Sequence, residues 1–226
     1  MTGLVRKATM LVACGVLLGA TVAMAGVPSP GNSTPFTRIN VVGFDGGTNL
    51  PDSLALNAKV TVVVRDLGGS PINHSSVVID FSGCLSDLRI CTTQQYQGVT
   101  AVPDPAIIPV ATRTGVKAFT NASGVATFVV VGGGIAGGLA HASNCVKVYA
   151  DGVLLNGAGV GVDIYDLDGT GGVGLSDLSL WASDYFGGSN PDRSDYDGVG
   201  GVGLSDLGVW ATTYFAGLSN SSCVAY

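Results

Sequence analysis

The aspartates of the C-terminal third are the residues best placed to do chemistry. Asp166, Asp168 and Asp177 stand at positions 1, 3 and 12 of a twelve-residue stretch, and Asp195, Asp197 and Asp206 repeat the spacing 29 residues later. Carboxylates at positions 1 and 3 of a turning loop converge on one side, and position 12 closes the cage from the start of the next helix. Gly171 and Gly200 stand at position 6, where such a loop turns sharply, and the position-7 carbonyls of Gly172 and Gly201 are expected to point inward. Hard oxygen donors in this pattern suit calcium, which takes about six to eight oxygens. The first loop can offer three carboxylates, the Thr170 hydroxyl, a carbonyl and waters. The second has Val199 in place of Thr170 and so offers one ligand fewer; position 9 is glycine in both, Gly174 and Gly203. The first loop is therefore expected to be the stronger site. Residues 164–226 carry eight Asp and a single cation, Arg193, an imbalance that suits an external cation. The alternative is a calcium-free helical pair that keeps the Gly-rich turns for geometry alone.

The elements that must position these carboxylates come from a duplication. Residues 166–186 and 195–215 are identical at 15 of 21 positions, and both tryptophans of the chain, Trp181 and Trp210, fall at the same repeat position. Such identity marks one structural unit used twice. After each loop the apolar residues follow a helical period. In the first copy they are Leu175, Leu178, Trp181, Ala182 and Tyr185, which are expected to pack as a core face.

The duplicated Asp-x-Asp-Gly-x-Gly loop, with Asp at position 12 and one helix per copy, resembles a dockerin domain. The resemblance covers about residues 163–216. It implies two loop–helix units of EF-hand type packed antiparallel, calcium in the loops, and calcium-dependent binding to a cohesin partner. Leu175-Ser176 and Leu204-Ser205 occupy positions 10 and 11, which the family associates with partner choice. Their equality in both copies would allow two symmetric binding poses. Two departures stand against this. The helices have Ala182-Ser183 and Ala211-Thr212 where cohesin-binding members often place basic residues, and the leucines serve equally well as core or loop anchors.

The middle of the chain reads as strands. Ala58 to Arg65 alternates and is β-branched, and Val77 to Phe81, Val116 to Phe119, Val125 to Val131, Val146 to Tyr149 and Val160 to Tyr165 are similar runs. Turn signals separate them at Gly68-Gly69, Asn121 to Gly124 and Asp151-Gly152, the last with a hairpin signature. About seven short strands over this region favour a β-sandwich. Two segments resemble bacterial Ig-like domains of the invasin and intimin kind. One is Val62 to Phe81, with Asp66, Gly69, Pro71 and Ile72 in a D-x-x-G-x-P-I pattern; the other is Thr120 to Phe128, a T-x-x-x-G-x-A-x-F pattern. The Cys84-to-Cys91 insertion and the loop from Gln94 to Pro109 lie outside that pattern.

The first 25 residues read as an address. Arg6 and Lys7 precede an uncharged run from Ala8 to Ala25 that ends in Ala23-Met24-Ala25, a small-x-small cleavage site before Gly26. This pattern predicts a secretory signal peptide, and no membrane insertion after its removal. Four cysteines then remain: Cys84, Cys91, Cys145 and Cys223. An even count in an exported chain reads as disulfides, with connectivity open. Cys84 and Cys91 flank six residues, so a local bridge fits; Cys145 with Cys223 would then tie the C-terminal tail to the body.

Composition excludes some functions. All 16 acidic residues are Asp, against 10 Lys and Arg, for a net charge of −6. An acidic chain with no basic stretch argues against nucleic acid. Neither His74 nor His141 stands beside a nucleophile elbow, and no phosphate-cradling glycine motif with lysine occurs. The expected architecture is mostly β. A signal peptide (1–25) and a linker (26–35) lead into an Ig-like β-sandwich (36–163), a small α-helical dockerin-like module of two loop–helix repeats (164–216) and a tail (217–226). The expected function is secreted and non-catalytic: calcium binding and attachment to a cohesin-like partner, as in extracellular polysaccharide-degrading assemblies. The alternative is a calcium-stabilised surface, matrix or adhesion protein with no cohesin.

Overall fold

Alternation of small β-branched residues with polar ones builds most of the molecule. A computed structural model describes residues 26–43, 56–94, 96, 98–103, 113–135, 142–155, 160–170, 172–188 and 191–215. The signal segment, His141, Gly171, Cys223 and the tail lie outside the described residues. Among those described, eleven strands precede two α-helices, so the chain is mostly β. The strands are β1 (Arg38–Val41), β2 (Val60–Val63), β3 (Ser76–Asp80), β4 (Leu88–Ile90), β5 (Thr100–Pro103), β6 (Arg113–Phe119), β7 (Val125–Phe128), β8 (Gly132–Gly134), β9 (Ala142–Ala150), β10 (Val153–Leu154) and β11 (Val160–Ile164). The helices are α1 (Leu175–Tyr185) and α2 (Leu204–Phe215). No described helix is long and apolar enough to cross a membrane.

The main sheet runs in the order β1-β11-β9-β3-β6-β5, with β10 paired to β9. Its pairs are antiparallel except β1 with β11, which run parallel. Two short antiparallel pairs, β2–β7 and β4–β8, complete the strand region. Period-2 alternation decides which side chains enter the core. Val77 and Ile79 of β3, Val60 and Val62 of β2, and Ala126 and Phe128 of β7 are buried, while Val78, Thr61 and Thr127 between them are wholly or partly exposed. These residues belong to one apolar cluster, which continues through Tyr165, Leu167 and Val173 to Trp181, Tyr196 and Trp210 of the C-terminal repeat.

The turn residues act as their chemistry requires. Asp151 and Gly152 have φ of 46° and 83°, so both central residues of the β9–β10 turn are left-handed, as a two-residue hairpin of type I′ needs. The two segments that carry the Ig-like patterns meet: Thr120 donates its hydroxyl to the Ile72 carbonyl (2.7 Å) and accepts the Ser75 amide (2.8 Å). Four strands had no clear sequence signal: β1, β4, β5 and the glycine triplet β8.

The cysteine pairing differs from the expected one. Cys84 is bridged to Cys145, with Cα atoms 5.3 Å apart, so neither a Cys84–Cys91 nor a Cys145–Cys223 bridge forms. The reason lies in β4. The residues between Cys84 and Cys91 extend as a strand and carry Cys91 to Val131, whose carbonyl accepts the Cys91 amide (2.9 Å). Gly83 lets the Cys84 segment approach β9, since a Cβ there would stand 2.6 Å from the Cys145 carbonyl oxygen. Cys91 is itself in a disulfide. A bridge across 61 residues removes loop-closure entropy from the unfolded chain worth about 4 kcal/mol. Non-reducing peptide mapping is expected to recover a Cys84–Cys145 cross-link and no Cys84–Cys91 peptide. Cys145→Ser is expected to lower unfolding stability by about 2–5 kcal/mol in denaturant titration.

Candidate metal centres in the duplicated loops

Each loop folds because its aspartates accept its own amides. In the first, Asp166 stands two residues past the end of β11, and Asp177 is the third residue of α1. Asp177 accepts the Asp168 amide at one oxygen (3.0 Å) and the Gly174 amide at the other (2.7 Å). That pair of bonds closes the loop onto the helix N-terminus, where free N–H groups favour negative charge. In the second loop Asp206 accepts the Asp197 amide (2.9 Å) and the Gly203 amide (2.8 Å) in the same way. Gly200 at position 6 has φ of 80° and Gly201 at position 7 has φ of 77°, a left-handed turn that side chains with Cβ resist.

The structure brings the aspartates of each set together. Asp166, Asp168 and Asp177 place carboxylate oxygens within 4.8 Å of one another, and so do Asp195, Asp197 and Asp206. Either cluster could hold a metal ion. Asp177 and Asp206 are fully buried and Asp166 is 4% exposed. Asp166 Oδ1 is buried with no hydrogen-bond partner among the described residues. Buried carboxylate oxygens are costly unless paired, so a cation held by this cluster would relieve Asp166 Oδ1. Arg193, the one cation of the C-terminal third, is committed elsewhere: it binds Asp184 through Nε (2.7 Å) and Nη2 (3.2 Å).

The other expected site residues are placed as follows. Thr170 donates its hydroxyl and its amide to Asp168 Oδ1, both at 2.8 Å. Val199, its counterpart, is exposed, and its amide makes the same bond to Asp197 (2.8 Å). Gly172 is buried, with φ of 74°. Leu175, Ser176, Leu204 and Ser205 are all exposed, the two leucines at 68% and 69%. Trp181 and Trp210 carry the buried faces of the helices and stack on Tyr185 and Tyr214 one turn later (5.3 and 5.2 Å). The expected core face thus excludes Leu175, which starts its helix in solvent, and Tyr185, which is 38% exposed at its end.

Crowding changes the acidity of the cluster. Burial, with the Asp177 and Asp168 charges beside it, pushes the Asp166 carboxyl up to about 7. Burial also raises Asp177 to about 6, against its amide donors. Asp206 moves up for the same first reason. Burial pulls Asp168 the same way, but hydrogen bonds from Ser176 and Thr170 outweigh it and leave it lowered. Repelled, desolvated carboxylates of this kind are relieved either by protons or by a cation.

Strand residues that sequence reasoning passed over complete the site. The Gly134 amide donates to the Asp166 carbonyl (3.0 Å), and a Cβ at Gly133 would stand 2.9 Å from Asp166 Oδ2. Gly133 and Gly134 of β8 therefore leave room for the first loop, while Gly132 leaves room for Arg89 and Val41. On the second loop, Arg38 Nη1 donates to the Asp195 carbonyl. Asn40 Nδ2 (3.0 Å) and Asn57 Nδ2 (3.2 Å) both donate to the Tyr196 carbonyl. Nothing in a local motif could have found these donors, which lie more than a hundred residues away in sequence. No family model, curated protein or solved structure matches this chain.

The Asp166 carboxyl gives a pH signature in chelator. Its folded-state value is raised, so its contribution to stability is complete below the ordinary carboxylate range and is lost as pH rises to about 7. Between about pH 4 and about pH 7 the melting midpoint of the wild type in EDTA is expected to fall relative to that of Asp166→Asn. A difference between the two that is flat with pH would contradict this assignment.

Proposed function

We propose that this chain is a secreted, non-catalytic protein in which an Ig-like β-sandwich carries a calcium-binding, dockerin-like repeat that attaches it to a protein partner. The observation that carries the reading is the buried Asp166 Oδ1, unpartnered among the described residues, inside a cluster of three carboxylates whose geometry recurs in the second copy. Calcium fits this donor set best. The donors are all hard oxygens, and among the described residues no cysteine or histidine joins them. The meeting of the Asp66–Ile72 and Thr120–Phe128 segments supports the Ig-like part. The exposed Leu175-Ser176 and Leu204-Ser205 pairs stand where the dockerin resemblance puts partner contacts.

One observation favours the second reading, a calcium-stabilised surface or matrix protein with no cohesin. The carbonyls of Asp166, Asp195 and Tyr196 are all held by the strand region, so the repeat is docked on the body of its own chain. A cohesin-like domain encoded in the same genome, tested for binding with calcium and with EDTA, separates the two.

Calcium titration of the mature chain by calorimetry is expected to show about two binding events, with a melting midpoint that rises in calcium and drops in EDTA. Asp177→Asn, which keeps the side-chain shape, is expected to weaken the first-loop event at least about tenfold, the weight of one charged ligand. No heat and no shift in the melt would sink the calcium reading.

A further inference from the structure

The two loops are not held alike, and the difference follows their ligand supply. The second loop is the poorer in donors, with Val199 turned to solvent at position 5. It is also the loop that the strand region grips with side chains. Arg38 binds the Asp195 carbonyl and is itself fixed by Asp163, 3.1 Å away at the base of β11. Asn40, fully buried, and Asn57 donate to one carbonyl, that of Tyr196, the residue between the first two candidate ligands Asp195 and Asp197. The Tyr196 ring is itself fully buried and lies 4.8 Å from that of Tyr165. The first loop has Leu167 at this position, and the bond it receives from the strand region runs from the Gly134 amide to the Asp166 carbonyl.

Asn57 is built for this contact. Its φ is 60°, in the left-handed region that asparagine tolerates better than most residues, and its carbonyl is anchored by the Asn40 amide (3.0 Å). One amide thus locks the turn that aims the other. Ordering a loop costs free energy that binding must offset, and a loop ordered beforehand binds more tightly with the same ligands.

We infer that Asn40, Asn57 and Arg38 are positioning residues for the second cation loop, pre-ordering its first three residues so that a ligand-poor loop can still bind calcium. This rests on the reading of the loops as calcium sites. It makes the second loop's affinity a property of the strand region and not of the repeat alone.

The test is calcium calorimetry on the full mature chain. Asp195→Asn identifies the second-loop event by removing it. Asn57→Gly then deletes one amide donor while keeping a residue at ease with positive φ. It is expected to weaken the second-loop event about three- to tenfold, the weight of one hydrogen bond, and to leave the first-loop event unchanged. Asn40→Ala, checked for folding by circular dichroism, is expected to weaken it further. Hydrogen exchange at Tyr196 and Asp197 in EDTA should be faster in Asn57→Gly than in wild type. If the second event survives both variants unchanged, or if both events weaken equally, the inference is overturned while the calcium reading stands. A single wild-type event that survives Asp195→Asn also overturns it. A wild type that takes up no calcium overturns the calcium reading and this inference together.

Discussion

Mutual repulsion among three carboxylates is the constraint on which the C-terminal third depends. Bringing Asp166, Asp168 and Asp177 within 4.8 Å of one another stores charge in a space partly shut off from water. The fold bears this by spending amides on it. Asp177 takes two, Asp168 takes the Thr170 amide and hydroxyl, and Asp206 takes two in the second copy. Asp166 Oδ1 receives none from the described residues. Its raised pKa and its burial are two expressions of the same unmet demand.

That demand explains why the strand region and the repeat share one core. A loop–helix pair with only Trp181 and Trp210 as large buried anchors has little apolar area of its own. Docking Tyr165, Leu167, Val173 and Tyr196 onto the strands adds that area and supplies fixed donors for the loop carbonyls. The position-1 carbonyls of both loops are bound from the strand region, one by a glycine amide and one by a guanidinium. The duplication therefore seats twice on a body that is not duplicated, using different chemistry at each seat.

The same asymmetry bears on function. In a module tethered by a free linker, both loops would meet solvent and partner alike. Here the ends of the loops that begin at Asp166 and Asp195 face the strand region, while Leu175 and Leu204 stand exposed at the helix starts. Any partner surface of the repeat must lie on that outer side. The Leu-Ser pairs are exposed there, and the carboxylate-bearing loops are supported from behind.

Much of this was legible in the residues. The strands at Val60, Ser76, Val125 and Val160 follow from alternation, the β9–β10 hairpin from Asp151-Gly152, and the two aspartate clusters from spacing at 1, 3 and 12. Each is a local pattern, written within a few turns of chain and enforced by backbone geometry. What the tertiary structure alone decided is long-range. Cys84 pairs with Cys145 while β4 carries Cys91 away, and Gly132–Gly134, a triplet with little strand propensity, became a strand whose Gly133 and Gly134 let Asp166 come close. Asn40 and Asn57 reach Tyr196 across 156 and 139 residues. No periodicity encodes such pairings, because they depend on which surfaces the packed core leaves facing one another.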